Sequence, residues 1–382
     1  MRIGLLTFHF SDNYGAALQA YALRRWFVEQ GHEVHFIDYR PAHVEHGGRL
    51  SLPTSPARVK ANLKVVYLGI SAFVNRHFGN RDQMRKFIRF RQRFLCVSDN
   101  IARAENTDIL TAAKKFDLIV AGSDQIWAPS QHYGFDRNYF LAFASEFSAR
   151  KISYAASFGR DTVSYDEAKQ LPALLANFDA ISVREISGGG LVQQAIGRAP
   201  ALVPDPTMLH TDYTDFIADS ELFGLADYVF CYALRSPDNI RQTADQVASH
   251  FTIKVKSPHN PHRRWIEIGE TVHPDPAEWV GLLKSARFVV TNSFHGTVFS
   301  LLFHKPFIVA GLTGSKASAN ARALNLLRAV GLEDRFTTAY TSSQVNALLA
   351  RDINWDLVDR KLAELRQSGT QFLHDQIEAV QR

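Results

Sequence analysis

A histidine between a strand pattern and a helix pattern is the clearest candidate for chemistry in this chain. The apolar run 287–290 is typical of a strand and VFSLLF at 298–303 of a helix, and the turn 292–297 between them carries His295. In open α/β sheets, ligands bind at the edge where such turns lie. The following helix offers N–H groups and a positive dipole end to an anion. His295 could therefore move a proton near neutral pH, although it could instead merely cap the helix.

Two arginines could hold an anion beside such a turn. Arg184 ends the strand pattern AISV, and a planar guanidinium binds phosphate or carboxylate in bidentate fashion. The other interpretation of Arg184 is an internal ion pair with Glu185 or another acid. Arg322 opens the helix pattern ARALNLLRAVG and is a weaker candidate for the same task. His9, on the first strand, could face either a cleft or the core.

Further polar clusters also follow directly on strand patterns. They are HFSDNYG with Asp12, Asn13 and Tyr14, SDQIW with Ser123 and Asp124, SFG at 157–159, Asp205, and NSFHG. Since the carboxyl ends of parallel strands meet at one edge of a sheet, this convergence predicts a binding cleft. For single members simpler roles stay open: Asp124 could cap a helix, and Asp205 lies between two prolines in a tight turn.

Strand and helix patterns alternate along the chain in two runs, and they carry the residues named above. Continuous apolar strands between helices predict parallel sheets covered on both faces. The fold class is therefore α/β, with two doubly wound Rossmann-like domains facing a cleft. We assign residues 1–206 to the first domain, with a basic helical insertion at about 42–112, and 207–352 to the second. Residues 353–382 form an amphipathic helical tail that could pack back on the first domain.

Composition excludes several other classes of protein. The chain has 382 residues, 46% of them hydrophobic and 21% charged, which is typical of a globular protein. It has no apolar run of the ~20 residues that span a membrane, and its first residues favour a strand over a signal peptide. Cys96 and Cys231 form neither a disulfide framework nor a metal-ligand pattern. P-loop, GxGxxG and GxSxG motifs are absent. These features predict a cytoplasmic protein without a bound metal.

The segment 49–93 has an unusual charge. It contains Arg49, Arg58, Lys60, Lys64, Arg76, Arg81, Arg85, Lys86, Arg89, Arg91 and Arg93, which is eleven basic residues against one acid, Asp82. It also contains the apolar stretch 65–73. A basic amphipathic stretch can lie on an anionic membrane surface, or it can pack its apolar stripe on the domain. Nucleic-acid binding is disfavoured because no recognisable module accompanies the charge.

Seven sequence blocks together resemble the polysaccharide pyruvyl transferase family. They are LLTFHFSDNYGAALQAYALRRWF, EVHFIDYRP, FDLIVAGSDQIW, KISYAASFG, ISVREISG, VPDPTML and TNSFHGTVFSLLFHKPFI. The resemblance covers the chain apart from the basic insertion and the tail. It implies a GT-B-like fold and an enzyme of polysaccharide biosynthesis. That enzyme takes phosphoenolpyruvate as co-substrate, needs no other cofactor, and places pyruvate as a ketal on two sugar hydroxyls.

The resemblance also implies roles for individual residues. Arg184 and His295 match residues associated with the donor, and the donor site would also include Ser293, Phe294, Gly296, Thr297 and Arg322. Asp12, Asn13, Tyr14, Ser123 and Asp124 would then face the acceptor. Several family members carry Arg-Leu-His where this chain has Ser293-Phe294-His295. A cation is therefore missing at Ser293, for which Lys305, Lys316 or Arg322 could substitute.

Two alternatives stay open at this point. One is a nucleotide-sugar glycosyltransferase on the same fold, which would bind a diphosphate at the same helix start. The other is a non-catalytic sugar-binding partner. The acceptor would be a saccharide, and a lipid-linked one would suit a protein held at the inner membrane face by residues 49–93. The sequence specifies neither the acceptor sugar nor the ketal positions, nor the oligomeric state.

Overall fold

A computed structural model of the protein describes most of the chain in two compact units. The described residues are 1–45, 50, 52, 54–56, 58–60, 62–63, 65–67, 69–70, 81–97, 113–130, 134–217, 227–234, 238–259, 268–314, 317, 320–338 and 341–382. Met1–Leu209 and Arg366–Arg382 form unit 1, and His210–Leu365 forms unit 2. The boundaries thus fall after residue 209 and within the last helix, whereas the sequence suggested 206 and 352.

Unit 1 is an α/β unit built on parallel strands. Its strands are β1 (Arg2–Leu6), β2 (Glu33–Phe36), β3 (Leu118–Ala121), β4 (Arg150–Ser153), β5 (Ser182–Val183) and β6 (Ala201–Leu202). Its helices are α1 (Tyr14–Glu29), α2 (Ala42–Glu45), α3 (Arg81–Phe90), α4 (Tyr165–Ala168), α5 (Leu171–Leu175) and α6 (Ile186–Ile196), with a π-helical turn at Arg91–Leu95 and 3-10 turns at Arg137–Phe140, Ala142–Ala144 and Pro206–Leu209. The strand order is β2-β1-β3-β4, and β5 pairs with β6. The chain therefore switches direction across this sheet between β1 and β3, which is the switch point of unit 1.

Unit 2 contains a second, six-stranded sheet. Its strands are β7 (Tyr228–Tyr232), β8 (Lys254–Pro258), β9 (Glu270–Val272), β10 (Phe288–Thr291), β11 (Phe307–Ala310) and β12 (Phe336–Thr337). Its helices are α7 (Thr214–Ile217), α8 (Asp238–Phe251), α9 (Pro276–Ser285), α10 (Phe294–Leu302), α11 (Ala321–Val330) and α12 (Ser342–Leu349), with a 3-10 turn at Glu333–Arg335; α13 (Trp355–Gln381) then runs from unit 2 into unit 1.

The strand order of unit 2 identifies where a ligand would bind. The order is β12-β11-β10-β7-β8-β9, and the paired strands are parallel. Counted within the unit this is 6-5-4-1-2-3, the doubly wound dinucleotide-binding order. The chain switches direction across the sheet between β7 and β10. In such sheets the crevice outside the carboxyl ends of these two strands is the usual ligand site.

Helix ends follow from local sequence. Asn13 caps α1, since its Oδ1 accepts a hydrogen bond from Ala16 N at 3.1 Å. Gly31, just beyond the C-cap, has φ +79°, a left-handed conformation that favours glycine. α9 begins after Asp275, which opens it with a capping box.

The sheet of unit 1 is buried on both faces, as its apolar strands predicted. Residues of α1 and α13 cover one face, with Ile3, Leu5, Leu23, Trp26, Phe27, Leu118, Val120, Leu373 and Ile377 in one cluster. The other face packs on aromatic loops and on α5 and α6, with Ile119, Ala121, Trp127, Phe140, Phe158, Leu171 and Val192 in a second cluster. α13 is also tied to unit 1 by Arg366 Nε, which donates to Met208 O at 3.0 Å.

The described end of the basic segment packs on α1. Phe87 and Phe90 are each 2% exposed, and the Phe87 ring lies 5.2 Å from that of Tyr14. Arg24 Nη1 donates to Phe94 O at 3.5 Å. For residues 81–97 the interpretation as a packed insertion is therefore correct. Residues 98–112, also assigned to the insertion, lie outside the described part of the chain. None of the described helices is both long and apolar enough to cross a bilayer.

Candidate functional site

The turn after β10 lies at the switch point of unit 2 and is held there by side-chain hydrogen bonds. Thr291 Oγ1 donates to Tyr232 O, at the end of β7, over 2.7 Å and accepts from Ser293 N at 3.0 Å. Asn292 Oδ1 accepts from Leu234 N at 2.8 Å. These bonds bridge the carboxyl ends of β7 and β10. The turn that sequence singled out is thus fixed at the sheet position where ligands bind.

Ser293, and not His295, caps helix α10. Ser293 has extended φ and ψ angles, and its Oγ accepts from Gly296 N at 3.4 Å. Its carbonyl accepts from Thr297 N at 3.0 Å. The interpretation of His295 as the cap is therefore wrong, because the helix begins at Phe294, four residues before the predicted start at 298. Ser293 is 2% exposed, so the position of the family's arginine is filled by a buried cap.

His295 occupies the first turn of α10, at the positive end of the helix dipole. It is 7% exposed, and its ring stands edge-on to Phe294, with 5.3 Å between ring centroids. Phe294 is itself 8% exposed. The histidine is thus held by packing at a helix start beside the switch point. Such a group can exchange a proton with a small anionic ligand seated there.

Gly296 allows the helix start to lie against the end of β10. A Cβ at this position would lie 2.3 Å from Thr291 Oγ1. That oxygen cannot yield easily, because it bonds both Tyr232 O and Ser293 N. Only a glycine fits here without displacing the turn.

Gly296→Ala should therefore lower the free energy of unfolding by about 1–3 kcal/mol, the usual cost of overpacking. Gly190→Ala is the matched control, since Gly190 is also helical and a Cβ there meets nothing within 4 Å. Alanine is the better helix former, so the control should be neutral or stabilising. Urea unfolding midpoints compare the two, and equal midpoints would contradict the argument.

The proposed substitutes for the missing cation lie in different places. Lys305 precedes β11 and so lies at the amino edge of the parallel sheet, whereas Ser293 follows β10 at the carboxyl edge. The suggestion of Lys305 is therefore wrong. Burial and the nearby Lys284 lower the pKa of Lys305. Arg322 is half-buried in the first turn of α11. This helix follows β11, so Arg322 lies at the carboxyl edge of the sheet. β11 is the neighbour of β10, the strand that precedes His295. Lys316 is outside the described residues.

In unit 1, Arg184 lies among three carboxylates. Its side chain is 3% exposed; Nη1 lies 2.5 Å from Asp205 Oδ2, Nε 3.0 Å from Glu185 Oε1, and Nη2 3.9 Å from Asp124 Oδ1. Burial alone would lower the pKa of Arg184, but the charges of these acids outweigh it and raise the pKa above its ordinary value. The internal ion pair that sequence left open is therefore present. The donor-binding role of Arg184 stays a prediction.

Asp205 joins this ion pair to the switch point of unit 1. Its Oδ1 accepts from Thr207 N at 3.1 Å and from Thr207 Oγ1 at 2.7 Å, and its Oδ2 from Ser123 Oγ at 3.4 Å. Ser123 is fully buried, and its carbonyl accepts from Thr7 Oγ1, after β1, at 3.1 Å. Burial, together with the negative charge of Asp205, raises the pKa of the Tyr154 hydroxyl well above its ordinary value. Ser123, Asp124, Arg184 and Asp205 are thus brought into one network.

The other predicted acceptor residues lie at the start of α1. Asp12 and Asn13 are exposed; Asp12 Oδ1 accepts from Arg91 Nη1 at 2.6 Å, and Asn13 is the helix cap. Tyr14 is buried, and its hydroxyl accepts from Gln83 Nε2 at 2.9 Å. The basic insertion therefore contributes to this surface. Asp124 caps no helix, since its Oδ1 accepts from Gln125 N in a turn.

Sequence reasoning missed a buried polar cluster beyond the carboxyl ends of β1 and β2. His9 is fully buried, with Nδ1 3.1 Å from Thr7 O and Nε2 3.1 Å from Asp38 Oδ1. Arg40 Nε donates to the same Asp38 oxygen at 2.7 Å. Burial would raise the pKa of Asp38, but hydrogen bonds from His9 and Arg40 lower it below its ordinary value. His9 therefore faces the interior. The sequence signal for this cluster was an acid, Asp38, inside the apolar strand pattern FIDY.

Comparison with known proteins supports a family and a fold. A family model described as polysaccharide pyruvyl transferase matches residues 13–312. No curated protein matches the chain. Among solved structures, the UDP-N-acetylglucosamine 2-epimerase of Rickettsia bellii is similar at a TM-score of 0.51 and 8% identity, covering 100% of this chain and 96% of that one. The UDP-GlcNAc 2-epimerase of Neisseria meningitidis, bound to UDP-GlcNAc, has a TM-score of 0.50 at 10% identity, covering 99% and 100%.

At such identities the structural similarity establishes the fold alone. It confirms the predicted GT-B-like α/β fold, built from two units with parallel sheets. The match to the family model spans well over half of the 382 residues and includes Arg184, Ser293 and His295. The chain belongs to the polysaccharide pyruvyl transferase family, a family of enzymes.

Proposed function

We propose that this enzyme transfers pyruvate from phosphoenolpyruvate to two hydroxyls of a saccharide, forming a ketal. The observation that carries the proposal is the position of His295. It lies in the first turn of α10, at the switch point of a Rossmann-ordered sheet. A helix start favours an anion, and an imidazole in the same turn can exchange protons with it.

The reaction needs proton transfers at defined atoms. The methylene carbon of phosphoenolpyruvate gains a proton and becomes a methyl group, while one sugar hydroxyl attacks the neighbouring carbon and loses its proton. Phosphate then leaves this carbon with the electron pair of the broken C–O bond. A second hydroxyl of the sugar adds to the same carbon and loses its proton, which the released phosphate takes up. We assign part of this proton transfer to His295. The phosphate and carboxylate of the donor carry negative charge that a nearby cation would stabilise.

Arg322 is the cation that best fits this donor site. It lies in the first turn of the helix that follows β11, at the same sheet edge as His295. It would replace the arginine that this chain lacks at Ser293. Arg184 suits this task less well, because Asp205, Glu185 and Asp124 already surround it with negative charge.

We assign the saccharide to the polar surface of unit 1. Asp12 and Asn13 are exposed there at the start of α1, and carboxylate and amide groups hydrogen-bond sugar hydroxyls. The buried network of Ser123 and Arg184 would hold the turn that carries Asp124.

Binding measurements test the donor directly. We expect calorimetry to detect saturable binding of phosphoenolpyruvate, weakened roughly 10- to 100-fold by Arg322→Gln, as for the loss of a hydrogen bond to a charged group. Arg328→Gln is the matched control, because Arg328 is exposed in the last turn of the same helix. If a nucleotide sugar bound and phosphoenolpyruvate did not, the protein would be a glycosyltransferase on this fold.

A further inference from the structure

An exposed row of apolar side chains lies in the first half of the basic segment. The described residues at 56, 58–60, 62–63, 65–67 and 69–70 are helical. Five of their side chains share one helical face, spaced i, i+4, i+7, i+8 and i+11, and are 43–65% exposed: Val59, Leu63, Val66, Tyr67 and Ile70. We call this set the apolar face. Just before it, Leu50 and Leu52 are also exposed, by 64% and 77%. A contiguous exposed apolar surface of this kind indicates an interaction site.

The second half of the basic segment behaves differently. In residues 81–97 the apolar side chains turn inward, with Phe87 and Phe90 at 2% exposure and Leu95 at 1%. They pack against α1 through contacts such as that of Phe87 with Tyr14. The apolar side chains of residues 81–97 thus pack within unit 1, whereas those of the apolar face are exposed. This difference separates the apolar face from the ordinary core of the protein.

The charge around the apolar face indicates what kind of partner it suits. Arg58 and Lys60 are exposed beside it, and the sequence of residues 50–70 contains three basic residues, Arg58, Lys60 and Lys64, and no acid. A second copy of the chain would bring the same positive charge against it, which is unfavourable. Nucleic acid would satisfy the charge but leave the apolar face in water. An anionic lipid surface satisfies both, since headgroups attract the cations and acyl chains accept the apolar side chains.

We propose that the described residues between 50 and 70 hold the enzyme on an anionic membrane surface. The apolar face enters the boundary between headgroups and acyl chains, to a depth of about 5–10 Å as for other interfacial helices. Arg58 and Lys60 remain at the level of the headgroups. This proposal does not depend on the identity of the donor.

Sedimentation of the full-length protein with lipid vesicles tests the proposal. Wild type should sediment with vesicles of phosphatidylcholine and phosphatidylglycerol, and much less with phosphatidylcholine alone. Arg58→Gln combined with Lys60→Gln should lower the partition coefficient roughly 10- to 30-fold, given about 1 kcal/mol for each charge near an anionic surface. Leu63→Asp combined with Ile70→Asp should abolish binding.

A charge-matched control removes two exposed lysines elsewhere. Lys114→Gln combined with Lys254→Gln makes the same change in net charge outside the segment and should bind as wild type does. Tyr67→Trp should report insertion by a blue shift of its fluorescence with anionic vesicles. Because these side chains are exposed, we expect unchanged thermal melting of the variants, which circular dichroism can verify.

Three outcomes would overturn the proposal. The first is a wild-type protein that stays in the supernatant with anionic vesicles. The second is equal binding by the Leu63→Asp/Ile70→Asp variant and by wild type. The third is self-association, measured by sedimentation velocity, that this variant abolishes while vesicle binding is absent. That last result would assign the apolar face to a second copy of the chain.

Discussion

His295→Gln should lower kcat for pyruvyl transfer by about 10²–10⁴-fold, the usual contribution of a positioned acid or base. Glutamine keeps a similar size and can hydrogen-bond, but it cannot exchange a proton near neutral pH. The histidine is 7% exposed and packs on Phe294, so a side chain of similar volume should leave the helix start intact. The affinity for phosphoenolpyruvate should change by a few-fold at most.

The measurement is phosphate release from phosphoenolpyruvate with a panel of oligosaccharide acceptors, together with calorimetry of donor binding. His304→Gln is the control, since His304 is exposed beyond the other end of the same helix, stacked on Trp355 and hydrogen-bonded to Asp359. It should keep wild-type turnover. Turnover of His295→Gln within about threefold of wild type would rule out proton transfer by this residue, whereas loss of donor binding would indicate a binding role instead.

Arg184→Leu should lower the free energy of unfolding of unit 1 by about 3–5 kcal/mol, the usual cost of breaking a buried ion pair from one side. The arginine side chain is 3% exposed, and the carboxylate of Asp205 that it neutralises is fully buried. Without the guanidinium, this buried charge would keep only neutral donors, those of Thr207 and Ser123. Thermal and urea unfolding measure the loss.

Two further variants separate the ion pair from other effects of this substitution. Arg184→Leu combined with Asp205→Asn should recover part of the lost stability, because the uncompensated charge is removed as well. Arg2→Leu breaks the exposed pair with Glu33, whose side chains are 46% and 56% exposed, and should cost less than about 1 kcal/mol. If Arg184→Leu cost no more than Arg2→Leu, the cluster would not be a stabilising ion pair.

The two proposals of donor chemistry and membrane contact rest on separate parts of the chain. His295 and Arg322 lie in unit 2, and the apolar face lies in unit 1. Loss of vesicle binding in the Leu63→Asp/Ile70→Asp variant should therefore leave the affinity for phosphoenolpyruvate unchanged. Each experiment can fail without affecting the conclusion of the other.

The class of fold and the order of its elements could be read from the sequence alone. Strands such as Leu118–Ala121 and Phe288–Thr291 are buried on both faces, and this burial requires continuous apolar runs that are visible in the sequence. Caps also act locally: Asn13 accepts a hydrogen bond from Ala16 N and Asp275 accepts one from Glu278 N, so each helix start depends on residues three positions apart. The family followed from seven ordered blocks, and the match over residues 13–312 agrees with it.

The roles of individual polar and charged side chains depend on tertiary contacts that the sequence does not reveal. Arg184 could bind a ligand or an acid, and its partner Asp205 lies 21 residues away. Lys305 follows His295 closely in sequence, yet α10 carries the chain to the opposite edge of the sheet. The cluster of His9, Asp38 and Arg40 arises because β1 and β2 are neighbours.

The basic segment also shows that contacts between residues distant in sequence decide which side chains are buried. Both halves of the segment combine basic and apolar residues. The second half packs on unit 1, since Phe87 of α3 contacts Tyr14 at the start of α1. In the first half, the described residues at 56–70 expose their apolar face. A helical pattern states which side chains share a face, since that depends on local geometry alone. Whether the face has a partner depends on which distant residues the fold brings beside it, and this only the three-dimensional structure decides.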